Sequence, residues 1–314
     1  MVATFRNLKH KVCDLGLLLF LSSSIVVLAQ EDVIKVDTNL VSIPVSVTDR
    51  DGRFVPGLKK EDFRIFENSI EQDLLFFAES EEPFTVLVLL DRSGSMSYRM
   101  EDLAGAANAF MGQLRPRDTV FAASFADSVT EILAKTRVSE IRNGIRIHQR
   151  RDESNTFIFD AVDNALGKLA KVRGRKALII FSDGAGNGLS ASAKSNIRDA
   201  EEGEALIYTI RFDTFSSGPP KGGNKKAWFD AERVATNYMT DLAAKTGGRS
   251  FRVETIANLA ETFRTVAEEL GRVYTVGYSA EDQGRNNERR KITVKVNIPN
   301  VAVRSRNEVV FKKK

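Results

Sequence analysis

The chain reads as an α/β protein: a doubly wound sheet inserted into a small β-sandwich made from the two ends of the chain. Three observations predict this. Residues 33–80 and 273–303 alternate apolar and polar side chains with the period of half-buried strands. Between them, short wholly apolar runs alternate with segments whose apolar residues recur every three to four positions. Two of those runs, Thr85 to Leu90 and Ala177 to Phe181, lead into aspartates, as strands do when they deliver ligands to the carboxyl rim of a parallel sheet.

The first thirty residues stand apart. Arg6, Lys9 and Lys11 precede an uncharged stretch from Leu15 to Ala29, the pattern of a cleavable secretion signal over residues 1–29. A spanning helix needs roughly 20 apolar residues, and this stretch is shorter and interrupted by Ser22, Ser23 and Ser24, so no transmembrane span is expected after cleavage. The expected location is secreted, periplasmic or at the cell surface. Cys13 is the single cysteine and lies before the apolar stretch, so the exported chain has no disulfide, no thiolate metal site and no cysteine nucleophile. It carries 43 basic and 41 acidic residues, a net charge of +2 that names no partner.

Residues 30–82 form the expected N-terminal β segment. Val41, Ile43, Val45 and Val47 alternate with Ser42, Pro44 and Ser46, Asp51-Gly52 signals a hairpin turn, and short runs follow at Phe63 to Phe66 and Leu74 to Phe77. The α/β domain is expected over residues 83–272. Its strands are Thr85 to Leu90, Val120 to Phe125, Ala177 to Phe181 and Ala205 to Ile210. Its helices carry the stripes Met100 to Leu114, Ile158 to Leu169, Val234 to Leu242 and Ile256 to Leu270. His148 is expected on the surface of a polar helical stretch with Ile141 and Ile145, and Thr214 to Phe229 in a loop.

After residue 273 the β style returns through Lys291 to Ile298 and Val301 to Val303. Neither terminal segment is long enough for its own core, so the two are expected to pair. Residues 284–314 hold ten Lys or Arg against Glu288 and Glu308, a surface open to polyanions. Their alternation with Ile292, Val294 and Val296 places most of these charges on the wet face of a strand, and no nucleic acid partner is expected.

The chemistry gathers in Leu90-Asp91-Arg92-Ser93-Gly94-Ser95-Met96. A carboxylate and two hydroxyls at alternate positions, where a buried strand gives way to a helix, face one small volume, as hard oxygen ligands do around Mg2+ or Ca2+. Asp183, in Phe181-Ser182-Asp183-Gly184, belongs to the same rim. Enzymatic readings find little purchase. His148 is the only histidine of the exported chain, Ser93 and Ser95 lack a Gly-x-Ser-x-Gly elbow, and a phosphatase would need a carboxylate where Ser93 stands. Gly184, Gly186 and Gly188 miss the Gly-x-Gly-x-x-Gly spacing, because position 189 is leucine, and read instead as a flexible rim beside Asp183.

Asp91-Arg92-Ser93-Gly94-Ser95 after a strand, Thr156 before a helix in Ser154-Asn155-Thr156-Phe157, and Ser182-Asp183-Gly184 after another strand together resemble the three loops of a von Willebrand factor type A (VWFA) domain. With the flanking β segments, the chain is similar to the VWFA-related proteins secreted by certain soil bacteria. The resemblance implies a Rossmann-like fold with a metal-ion-dependent adhesion site. Ser93, Ser95 and Thr156 would then give hydroxyl oxygens to the metal, with Asp91 and Asp183 holding it directly or through water. A Glu or Asp of a protein partner would complete the octahedron.

Two carboxylates balance a divalent cation and three neutral hydroxyls leave it electrophilic, so an incoming carboxylate gains direct coordination. Mg2+ suits this small oxygen shell, with Mn2+ or Ca2+ as alternatives. Ser154 and Asn155 stand where the family often has glycines. Ser97 and Tyr98 replace the acidic residues that hold a second metal in integrin β-type domains, so one metal is expected. The expected function is non-enzymatic capture of a protein partner. The alternatives are a scaffold or envelope protein whose ion only pins the loops and, behind it, a metal-dependent hydrolase.

Overall fold

Alternation at both ends of the chain produces strands that pair with one another across more than two hundred residues. The computed structural model describes residues 40–79, 82–148, 155–213, 218–219, 223–280 and 285–311. The leader expected at 1–29, with Cys13, lies outside the described residues, as do Ser154 and part of the 214–229 segment. The first strands are β1 (Leu40–Thr48), β2 (Phe63–Glu67), β3 (Ile70–Gln72) and β4 (Leu74–Glu79). The last are β11 (Tyr274–Ser279), β12 (Glu288–Val296), β13 (Ala302–Ser305) and β14 (Glu308–Phe311).

They form two antiparallel sheets, ordered β13-β1-β11-β4 and β14-β12-β2-β3, each built from both ends of the chain. Register follows the pleat: Ile43 lies opposite Val276 and Val45 opposite Tyr274, so the apolar residues of β1 and β11 fall on one face. That face meets Phe63, Ile65, Ile292 and Val294 of the second sheet in a shared core. Phe63 stacks obliquely on Tyr274 and Phe77 there, with ring centroids 5.3 and 5.4 Å apart.

One buried polar group crosses this core. Tyr278 of β11 donates its hydroxyl to Glu67 of β2, and Arg290 of β12 pairs with the same carboxylate at 3.0 Å. Glu67→Gln leaves the guanidinium short of its counter-charge, so we expect a loss of about 1–3 kcal/mol in urea unfolding. Unchanged stability would mean that Glu288, which lies 2.7 Å from Arg290 Nε, alone suffices for that charge.

The middle of the chain supplies β5 (Thr85–Asp91), β6 (Thr119–Phe125), β7 (Val129–Arg137), β8 (Lys176–Ser182), β9 (Leu206–Phe212) and β10 (Ser250–Val253) in one sheet, ordered β10-β9-β8-β5-β6-β7. All its pairings are parallel except β6 with β7. Among the described residues five helices accompany it: α1 (Met100–Gln113), α2 (Ile158–Ala170), α3 (Ala193–Glu202), α4 (Lys225–Thr246) and α5 (Ile256–Gly271).

Buried strands read as continuous apolar runs because both faces are covered. Val86, Val88 and Leu90 of β5 pack with α1 and α5 on one side, while Leu87 and Leu89 pack with α2 and α4 on the other. Each such buried side chain contributes roughly 1.5–3 kcal/mol. Two of the helices begin under side-chain caps: Thr255 accepts from Asn258 N ahead of α5, and Asn224 from Ala227 N ahead of α4. On α5, Glu269 pairs with Arg249 and with Arg304 of β13, tying the α/β body to the terminal strands.

Three sequence expectations need correction. Residues 141–148 are irregular and not helical, because the Asn108 side chain bonds both the N–H and the carbonyl of Ile145, and Ile145 and Ile147 turn into the core. His148 itself is exposed. The 214–229 segment is not loop throughout, since α4 begins at Lys225 under the Asn224 cap. Finally, β3, β7, β10, β14 and α3 are additional elements that the apolar pattern did not announce.

Candidate metal centre

Strand β5 lies between β8 and β6, where the winding of the sheet reverses, and its carboxyl end is the switch point at which such sheets bind ligands. Asp91 is the last residue of β5. By alternation it continues the face of Leu87 and Leu89, the α2 and α4 side. It is fully buried, and its Oδ1 accepts from Ser93 N at 2.8 Å. That bond folds the chain back into a 3-10 turn over Gly94–Arg99. Ser93 Oγ and Ser95 Oγ lie 3.1 Å apart as a result, so three of the predicted oxygens come together in one turn. Ser93 occupies the N-cap position yet makes no side-chain cap, which leaves its hydroxyl for the rim.

Asp183 follows the last residue of β8 and is 2 % exposed. Its Oδ1 accepts from Ala185 N at 2.9 Å. It stands close enough to Asp91 to act on its titration: burial, with the Asp183 charge second, pushes the Asp91 carboxyl up to about 7, against opposing hydrogen bonds from Ser182 and Ser93. Ser182 is the partner that motif reading missed. Its hydroxyl donates to Asp91 Oδ2 and accepts from Gly184 N at 3.0 Å, so it joins the first aspartate to the turn that carries the second. The signal was in the sequence: Ser182 shares the pleat of Leu178 and Ile180, the face on which Asp91 lies.

Thr156 arrives from the third segment, two residues before α2, and Phe157 rather than Thr156 stands at the N-cap of that helix. Its strand of loop is fastened to the loop after Asp183 by backbone bonds, Asn187 N to Thr156 O at 3.0 Å and Phe159 N to Asn187 O at 3.2 Å. The glycines there have a steric reason. A Cβ on Gly186 would lie 2.4 Å from Thr156 O. Asp160, in the first turn of α2, accepts from Leu189 N, Ser190 N and Ala191 N. Partial burial works to raise its pKa, but those amides outweigh it and hold the carboxylate below its ordinary range. Asn155 N donates to Asp127 Oδ1 at 2.5 Å, and Phe157 N to Ala126 O, fixing the other side of the Thr156 loop against the end of β6.

The side chain of Arg92 points away from this rim. It is 2 % exposed and bonds Ser128 O at 3.2 Å and Thr130 Oγ1 at 3.4 Å, pinning the β6–β7 turn to the loop after β5. Asp91, Ser93 and Ser95 thus share one turn, Asp183 acts on Asp91 from the neighbouring strand, and the Thr156 and Asp183 loops are bonded to each other. The donor set is entirely hard oxygen, two carboxylates and three hydroxyls, which fits a divalent cation of the Mg2+ type. The raised Asp91 points the same way: burying a carboxylate beside Asp183 carries a cost that a divalent cation would offset.

A sequence model of the von Willebrand factor type A domain matches residues 85–265, from the first residue of β5 into α5, and leaves the terminal strands outside. No curated protein sequence matches the chain. Among solved structures it is similar to the vWF domain of the type V pili tip protein Mfa5 from Porphyromonas gingivalis, at 13 % identity and a TM-score of 0.44, covering 60 % of this chain and 95 % of that one. It is also similar to a von Willebrand factor type A protein from Catenulispora acidiphila, at 12 % identity and a TM-score of 0.42, covering 88 % and 75 % of the two chains. A third is proximal thread matrix protein 1 from the mussel byssus with a zinc-occupied MIDAS motif, at 13 % identity and 0.43, covering 65 % of this chain and 49 % of that one. Because the family match spans more than half of its length, this chain belongs to the von Willebrand factor type A domain family.

Proposed function

We propose that this chain is an exported, non-enzymatic binding protein in which a Mg2+ ion, held by Asp91, Ser93, Ser95, Thr156 and Asp183, receives a Glu or Asp side chain of a protein partner. Domains of this family commonly bind a divalent cation and protein ligands. The observation that carries the finer reading is the buried Asp91 and Asp183 pair at the switch point, with three hydroxyl residues brought to the same rim. Two carboxylates neutralise the ion and no more, so it keeps its attraction for a further anionic oxygen. The sequence pattern of residues 1–29 supports export, and no described helix is long and apolar enough to cross a membrane.

A purely structural ion is the competing reading. Protein hydrogen bonds already tie the rim together, from Ser182 to Asp91, from Asn187 to Thr156 and from the 189–191 amides to Asp160, so an ion is not needed to pin it. A peptide array separates the two. With Mg2+ present, we expect bound peptides to share a Glu or Asp whose replacement by Gln or Asn removes binding, and EDTA to release them. Metal-independent binding would contradict the proposal. A metal-dependent rise in melting temperature, with no peptide captured, would favour the structural ion.

A further inference from the structure

At the opposite end of the parallel strands lies a cavity of about 680 Å3 that has no part in the metal rim. One wall is the outward face of the β13-β1-β11-β4 sheet, where Ser42, Pro44, Ala78 and Thr275 alternate with the residues of the sandwich core. These side chains are too small to fill the gap between that sheet and the base of the α/β body, where Phe84 and Leu206 form the facing wall. Leu40 and Phe76 line the cavity while 46 % and 41 % exposed, an apolar rim in contact with solvent.

Arg306, which follows β13, is one of the charged residues that line this cavity beside its apolar wall. Gly247 closes α4 at φ +83, and a Cβ there would lie 2.8 Å from Arg306 N, so the backbone of Arg306 is held tightly against the helix end. The residue is 8 % exposed, and its Nε has no hydrogen-bond partner among the described residues. The carboxylate that acts on its charge, Glu204, is already 3.4 Å from Lys176 Nζ. Burial holds the Arg306 pKa below its ordinary value, with Glu204 working in the other direction. The neighbouring Arg175 is occupied by the carbonyls of Glu82 and Leu270 and lies over the Phe84 ring.

A buried guanidinium without a close counter-ion is costly, and a planar fork of donors suits a carboxylate. The cavity has the volume of a small-ligand site and lies between two packed layers, where such sites commonly form. We propose that it binds a small amphipathic carboxylate, its anionic head on Arg306 and its apolar body against Phe84, Phe76 and Leu40. Glu79, Glu82 and Glu204 line the cavity with Arg117, Arg175, Lys176 and Arg306, a balance of one positive charge that a monoanion matches and a phosphate dianion exceeds.

Calorimetric titration of the full chain with decanoate tests this, with decanol and acetate as the body and the head alone. We expect one decanoate per chain, with decanol and acetate each at least about tenfold weaker. Arg306→Met should lose at least about tenfold in decanoate affinity. Ala78→Phe, which narrows the cavity and leaves Arg306 in place, should lose a similar factor, and melting curves report whether each variant folds. No decanoate binding, decanol binding as tightly as decanoate, or Ala78→Phe binding like the unaltered chain would each overturn the proposal. If Arg306→Met does not fold, the decanol and Ala78→Phe comparisons decide it.

Discussion

Replacing Asp91 by asparagine should stabilise the metal-free protein above pH 7 while abolishing its response to divalent cations. Burial and then the neighbouring Asp183 push the Asp91 carboxyl from an ordinary 3.8 up to about 7. The folded state therefore holds a proton that the unfolded chain releases across that window. Stability contributed by this group is fully present below about pH 4 and is lost as pH rises through 7, at up to about 1.4 kcal/mol per pH unit. At pH 8 the ionised, buried carboxylate weakens the fold by an order-of-magnitude figure of about 4 kcal/mol, the upper bound of what Asp91→Asn recovers.

Asparagine keeps the geometry. Its carbonyl accepts from Ser93 N, and its amide donates to Ser182 Oγ, which already accepts from Gly184 N and retains a second lone pair. In EDTA the variant should thus melt higher than the unaltered chain at pH 8 and about equally at pH 4. Adding Mg2+ at about 1,000 times Kd should erase that gap at pH 8, since it adds about 4.1 kcal/mol to the unaltered chain alone, enough to offset the most that the variant recovers. A variant that melts lower at pH 8 in EDTA would mean that Asp91 is stabilised by its surroundings rather than strained by them.

Gly186→Ala should damage both the fold and the metal rim. Its φ of +153 is a conformation that L side chains rarely adopt, and the added methyl would stand 2.4 Å from Thr156 O and 3.1 Å from Ile158 Cγ2. Backbone and helix start cannot both yield, so the Asp183 loop must separate from the Thr156 loop and lose the bond from Asn187 N. We expect about 2–4 kcal/mol of destabilisation and roughly a hundredfold weaker Mg2+ binding. Gly174→Ala is the control. Its φ is +78 with nothing within 4 Å, so it should cost only about 1 kcal/mol and leave metal binding unchanged. Equal effects of the two substitutions on metal affinity would separate the Gly186 contact from the site.

The alternation of strands and helices was legible because most of its elements bury a full stripe or a full run. The exceptions have physical causes. Strand β7 is an edge, half-exposed along its length, and its pattern is blurred accordingly. Helix α3 has few apolar residues and is held by polar means: the Ser192 and Ser195 capping box, the Asn196 amide on Tyr238, and buried Glu201 paired with Lys245 and Arg289. The spacing of Ile141 and Ile145 imitates a helix, but Asn143-Gly144 lies between them and the Asn108 side chain takes the backbone of Ile145 instead.

At the rim, local motifs exposed Asp91, Ser93, Ser95 and Asp183, because strand ends and turn residues are sequence-local. The bonding of the Thr156 loop to the Gly186 loop joins residues thirty apart and has no local signature, and the position of Arg306 in a cavity depends on how two sheets face each other.

Crystals grown with Mn2+ and measured at its absorption edge would locate the ion directly. One anomalous peak per chain is expected, enclosed by the oxygens of Asp91, Ser93, Ser95, Thr156 and Asp183, with one coordination position facing solvent or an acidic side chain of a neighbouring molecule. A peak elsewhere on the chain, or no peak at saturating Mn2+, would contradict it.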